Sequence, residues 1–286
     1  MEILEFWINP ELVTFTESSA IVASGNAVYC IDTTGLKWKK KFITTFYRDP
    51  YTDVRVSALD ATEKHVAVGT NFMDGKLYLL SINGKKLWEY QFATIASLGW
   101  RPEDVTSVSI GNGFVTASTQ FTHNYLYAYT LKRNRLFNRK FEGSIQKVFA
   151  GDMITAILNG GVSVLSKDGK VVFSKNCRVK HACECWGRVI LCSDAQHFST
   201  DSVVSIPCEF AVAYEDYLCL VYRNSLKVVD EELKEIWNVK LNKSVVHVFC
   251  RDGEILAATN DEVFKIVDGE VKSRVKACGR VLGVCR

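Results

Sequence analysis

The sequence predicts an all-β fold: a single closed β-propeller spanning residues 1–286, with about seven four-stranded blades and almost no helix. Three observations predict it. A unit of alternating strand, short polar turn and aromatic-bearing strand recurs along the chain. Two further short apolar runs precede each copy. Apolar residues alternate with period two, and no segment sustains helical spacing.

The repeat is plainest in VYCIDTTGLKWKKKF, LYLLSINGKKLWEYQF, LYAYTLKRNRLFNRKF and VSVLSKDGKVVFSKN; LKVVDEELKEIWNVKL is a fifth copy and DEVFKIVDGEVKSRV a weaker sixth. Each copy reads as the third and fourth strands of a blade. Asn83-Gly84 and Asp168-Gly169 tolerate positive φ, so two-residue hairpin turns are expected there. Runs such as VTSVSI and FVTAST, ahead of LYAYTL, supply the first and second strands.

The markers Trp38, Trp88, Phe137, Phe173 and Trp237 follow at intervals of 50, 49, 36 and 64 residues. The last interval leaves room for a degenerate blade, with strands near VKHACEC, RVILCSD and SVVSI and no clear outer strand. Blades are expected at 11–42, 54–92, 105–141, 145–176, 178–206, 209–241 and 245–277. Seven is the count, and six or eight also fit. Either GRVLGVCR at 279–286 or the N-terminal EILEFWI has the spacing to close the ring.

With 48% apolar residues, 4 prolines and no low-complexity tract, the chain can bury a full core. A net charge of +3 does not by itself imply a polyanionic partner. The start lacks a basic n-region and an apolar h-region, and no apolar run is long enough to span a bilayer. The chain therefore reads as cytoplasmic, without membrane contact. Its 10 cysteines read most simply as free buried thiols.

The motif LYLLSINGKKLWEYQF resembles the repeat of the PQQ-like β-propellers, with the WD40-like propellers as broader kin. The resemblance covers roughly 11–277 and implies a scaffold that recruits partners. The chain departs from the quinoprotein enzymes in lacking an adjacent Cys-Cys pair and a calcium-ligand set. It also lacks the Gly-His and Trp-Asp signatures of WD40 repeats. A non-enzymatic member without a cofactor is the expectation.

Loop length points to a candidate surface. In a propeller, the loop between strands two and three shares a face with the connection to the next blade. Blades 1, 4, 6 and 7 have minimal second-to-third-strand turns, whereas blades 2 and 3 insert TNFMDGK and TQFTHNY, which align Phe72 with Phe121 and Asp74 with His123. The connections ITTFYRDPYTD and ATIASLGWRPED are long and fall on the same face. Together these expansions carry Phe46, Tyr47, Arg48, Tyr51, Phe72, Met73, Trp100, Arg101, Phe121 and His123, a composition of aromatic and arginine anchors that suits a protein partner. The competing reading folds these aromatics back over the propeller's own end. The blade 5 loop adds His197 and Phe198.

Two other constellations stand out. Cys177, His181, Cys183 and Cys185 point to one side of a strand, and a turn at Trp186-Gly187 would bring Cys192 opposite His181. That set reads as small apolar filler, with a metal site or disulfide as alternatives. Lys37, Lys39, Lys40 and Lys41, and the run Lys132, Arg133, Arg135, Arg139 and Lys140, lie on outer strands. They read as edge protection, with a basic rim for nucleic acid as the alternative. No phosphate loop, zinc-protease pair or nucleophile elbow occurs.

Overall fold

The computed structural model describes residues 10–43, 54–71, 74–96, 99–121, 123–194, 198–251, 253–277 and 281, with side chains except at 94–96, 99 and 100. Seven four-stranded sheets follow one another at 12–41, 55–91, 104–141, 145–175, 179–207, 210–240 and 247–276, with no helix among the described residues. This is the architecture of a seven-bladed β-propeller. The described residues form two compact units, one carrying blades 1 to 4 and ending at Lys175, the other carrying blades 5 to 7 from Asn176. Both segments considered for closing the ring lie outside the described residues, apart from Val281.

In six blades the strands pair antiparallel in chain order. Blade 5 departs from this. Its second strand, Arg188–Ser193, pairs in parallel with Val203–Pro207, and the two-residue strand Phe198–Ser199 forms the outer edge. The run SVVSI therefore sits where a third strand belongs but is reached last, because the chain first crosses to the edge and then returns.

The expected two-residue turns are a different type. Only the glycines have positive φ, 77° at Gly84 and 81° at Gly169. The pairing slips by one residue at Leu79/Leu80 and at Val164/Leu165. Gly84 N donates to Ser81 O at 2.9 Å, and Ser81 N donates to Lys85 O at 2.8 Å. This is a type I turn closed by a left-handed residue in a bulge, which lets the hairpin keep its twist with a longer loop. Blades 3 and 6 build the same turn on Arg133 (φ 73°) and Leu233 (φ 62°).

Within each unit, apolar clusters lie between successive sheets. Ile21, Val28 and Phe42 of blade 1 pack with Val66 and Leu80 of blade 2, and Leu77, Trp88 and Phe92 of blade 2 pack with Val105 and Tyr129 of blade 3. Because both faces of a middle blade are covered, its inner strands are apolar in continuous runs, as in Val66, Ala67 and Val68. The outer-strand aromatics of blades 1 and 2 dock on the blade that follows: Trp38 Nε1 donates to Ile82 O at 2.7 Å and Trp88 Nε1 to Leu131 O at 2.8 Å.

First strands are stitched by small polar side chains. Ser107 Oγ accepts from Val148 N at 3.0 Å, Ser109 Oγ accepts from Ala150 N at 3.1 Å, and Asp60 Oδ2 accepts from Ile110 N at 2.8 Å. Each satisfies a strand-edge amide that has no ladder partner on that side.

Candidate interaction site

The long connection between blades 2 and 3 is itself ordered: Ala93–Ala96 and Gly99–Pro102 pair as a hairpin, with Trp100 opposite Ile95 and Arg101 opposite Thr94. Its base is pinned. Phe92 N donates to Gly75 O at 2.8 Å, and Glu103 N donates to Phe92 O at 3.1 Å. Gly75 has φ 53°, and a Cβ there would lie 2.5 Å from Glu103 O, so only glycine admits this approach.

Beneath the blade 2 loop sits a buried carboxylate. Asp74 accepts hydrogen bonds at Oδ2 from Thr70 Oγ1 and Tyr78 Oη, both at 2.8 Å, while Lys76 Nζ lies 3.6 Å from Oδ1 and Gln91 Nε2 donates to its main-chain O. Burial and the neighbouring carboxylate drive the Tyr78 phenol well above its ordinary range, so it stays a donor. Phe42, at the end of blade 1, packs on Tyr78 with ring centroids 4.8 Å apart. A continuous set of contacts thus joins the ends of blades 1 and 2 to the hairpin.

Blade 3 answers the same need differently. Thr119 and Tyr127 occupy the places of Thr70 and Tyr78, but the carboxylate comes from buried Glu103, to which Thr119 Oγ1 donates. Desolvation, followed by the nearby Glu103, raises the Tyr127 phenol. Position 123 is therefore released from the anchoring role that Asp74 has in blade 2, and His123 is exposed.

Of the residues singled out by loop length, Phe46, Tyr47, Arg48, Tyr51, Phe72 and Met73 lie outside the described residues. Trp100 is placed by its backbone. Arg101 is half-buried, and Phe121 is 51% exposed. Ile43, which leads into the blade 1 connection, is 72% exposed. Alignment placed Asp74 with His123, but it missed that one is a buried anchor and the other a surface group; the four-residue spacing of Thr70, Asp74 and Tyr78 around the loop was the available signal.

From His123 an aromatic row runs into the blade. His123 meets Tyr125 edge-on at 6.1 Å, Tyr125 meets Tyr127 at 5.7 Å, and Tyr127 and Phe92 are 4.6 Å apart. Tyr90 and Tyr129 continue it at 4.9 Å.

In blade 5, Cys192 does stand opposite His181, across a turn at Trp186 and Gly187 with φ 53° and 69°. Cys183, Cys185, Cys192 and Cys208 belong to one apolar cluster. The Cys192 thiol neighbours that of Cys208, and Cys219 neighbours Cys250, while Cys208 Sγ donates to Ile206 O at 3.6 Å. Burial pushes the Cys185 thiol up to about 11 and Cys183 higher. Among the described residues no three His, Cys, Asp or Glu side chains converge as a metal site. His197 lies outside the described residues, and Phe198 is half-buried.

No protein-family model matches the chain, and no curated protein matches it in sequence. Solved structures do resemble it. The computationally designed Ika8 protein aligns over 96% of this chain and 91% of its own, with TM-score 0.65 at 11% identity. BamB from Moraxella catarrhalis aligns over 99% and 90%, with TM-score 0.63 at 12% identity. BBS1N, solved in complex with ARL6DN, aligns over 88% and 75%, with TM-score 0.52 at 11% identity. At these identities the likeness shows the β-propeller fold.

Proposed function

We propose that this chain is a non-catalytic β-propeller scaffold that binds another protein through the loop-bearing end of blades 1 to 3. The observation that carries this reading is the substitution of Glu103 for a loop carboxylate in blade 3. It leaves Phe121 and His123 projecting from a base that Asp74, Gly75 and Glu103 hold rigid. A rigid base under an exposed aromatic ring and a half-buried arginine lowers the ordering cost of binding. A propeller of the same fold has been solved with a bound protein, BBS1N with ARL6DN.

The test is co-purification from the native cell, comparing wild type with the Arg101→Ala, Phe121→Ala double variant. The partner should be lost from the variant while its thermal midpoint moves by no more than about 2 °C. Equal capture by both proteins would sink the reading.

A further inference from the structure

Blade 3 has a single acidic residue, Asp104 at the start of its first strand, and none from Val105 to Phe141. Within it Lys132, Arg133, Arg135, Arg139 and Lys140 are all exposed and form no ion pair among the described residues. Several outer-strand cations elsewhere are neutralised, as Lys86 by Glu89, Lys272 by Glu270 and Arg274 by Glu262, while blade 1 leaves only the shorter pair Lys39 and Lys41 exposed without an ion pair among the described residues. Protection of a sheet edge does not require such a run, since blade 4's outer strand exposes Val171 and Val172 instead.

Arg133 adds a second observation. It holds the left-handed turn position that Gly84 and Gly169 fill in blades 2 and 4. Leu233, the other non-glycine there, packs against an apolar cluster, which explains its retention. Exposed Arg133 has no such packing, so its side chain is kept against the backbone's preference.

Strand pairing then sets aromatic rings beside the cations. Tyr125 is opposite Lys140, Tyr127 opposite Asn138 and Tyr129 opposite Arg135, so these residues share one face of the sheet. His123, Tyr125 and Tyr127 run along that face, exposed at His123 and half-buried at the two tyrosines. Unpaired cations along a strand neutralise phosphates, and a row of accessible rings accepts bases that are free to unstack. We infer that the outer edge of blade 3 binds single-stranded nucleic acid, with Lys132, Arg133, Arg135 and Lys140 on the backbone and Tyr125 as the stacking platform. Arg139 faces the other way and donates to Gly169 O at 3.2 Å.

The experiment is fluorescence anisotropy with a fluorescein-labelled oligo(dT) of about 20 nucleotides, titrated from about 50 mM salt upward. Four engaged cations predict a log–log salt slope near about −3. The Arg135→Gln, Lys140→Gln variant should bind at least about tenfold more weakly, with a slope shallower by about one unit. Tyr125→Ala should weaken binding by about tenfold without changing the slope. Arg133→Gly, which relaxes the turn and cannot unfold the blade, should also flatten the slope. A Lys39→Gln, Lys41→Gln variant on blade 1 should bind as wild type. Absence of binding at low salt, equal loss in the blade 1 variant, or competition by polyglutamate as effective as unlabelled oligonucleotide would each overturn the inference; the last would assign the edge to an acidic protein segment.

Discussion

The indole of Trp38 lies against the α-carbon of Gly84 in the neighbouring blade, so close that a Cβ there would be 2.7 Å from Trp38 Cδ2. Phe137 covers Gly169 and Trp237 covers Gly269 in the same way, with Cβ clearances of 2.6 and 3.0 Å. The outer-strand aromatic is thus a docking element whose receptor is the left-handed glycine of the next turn.

Gly84→Ala faces both the positive φ and the ring, and should cost roughly 2–4 kcal/mol. Gly25→Ala, at φ 57° with open space around the added carbon, should cost only about 1 kcal/mol. Trp38→Phe keeps the packing but loses the bond to Ile82 O, worth about 1 kcal/mol. Urea denaturation of the three variants checks the order.

The repeat made the blades legible, and all seven strand sets begin and end within two residues of the expected bounds. The partner of each marker aromatic was not legible, because it lies in a different blade; Trp38 and Ile82 are 44 residues apart. The opposition of His181 and Cys192 followed from strand alternation and a two-residue turn, both local properties. The parallel strand in blade 5 was hidden because an apolar run such as VVSI carries no mark of direction. At the loops, alignment equated Asp74 and His123, and only three-dimensional contacts separate an anchor from a surface group.

His247 begins the first strand of blade 7, and burial lowers its imidazole to about 4 from an ordinary 6.5. In this interval the unfolded chain binds the proton and the folded chain does not. Stability is therefore intact above about pH 6.5 and falls as pH drops toward 4, by about 1.4 kcal/mol per unit and up to about 3 kcal/mol. His247→Gln should flatten the acid limb of a stability–pH curve measured by urea denaturation. An unchanged limb would mean that other groups govern it.

The thiols of blades 5 and 6 should be inert while the protein is folded. Burial raises Cys183 and Cys185, and the adjoining Cys208 and Cys250 thiols together with burial raise Cys192 and Cys219, so little thiolate exists near neutral pH, and the side chains are shielded as well. Iodoacetamide at about pH 8 should label these four only after guanidinium is added, as read by peptide mass spectrometry. Rapid native labelling of Cys192 would contradict the packed cluster it shares with Ile206 and Leu220.

Asp74 and Phe121 should separate stability from binding. Removing the Asp74 carboxylate strips acceptors from the Thr70 and Tyr78 hydroxyls and leaves Lys76, 13% exposed, with only Glu89. Breaking a buried charged network by deleting one member costs about 3–5 kcal/mol. Asp74→Ala should therefore lower the denaturation midpoint sharply, while Asp74→Asn, which still accepts from both hydroxyls, should lose less. Phe121→Ala exposes no cavity and should shift stability by less than about 0.5 kcal/mol. A Phe121→Ala variant as unstable as Asp74→Ala would show that the exposed loop ring is part of the fold, and the protein-binding role proposed for that end of blades 1 to 3 would lose its main support.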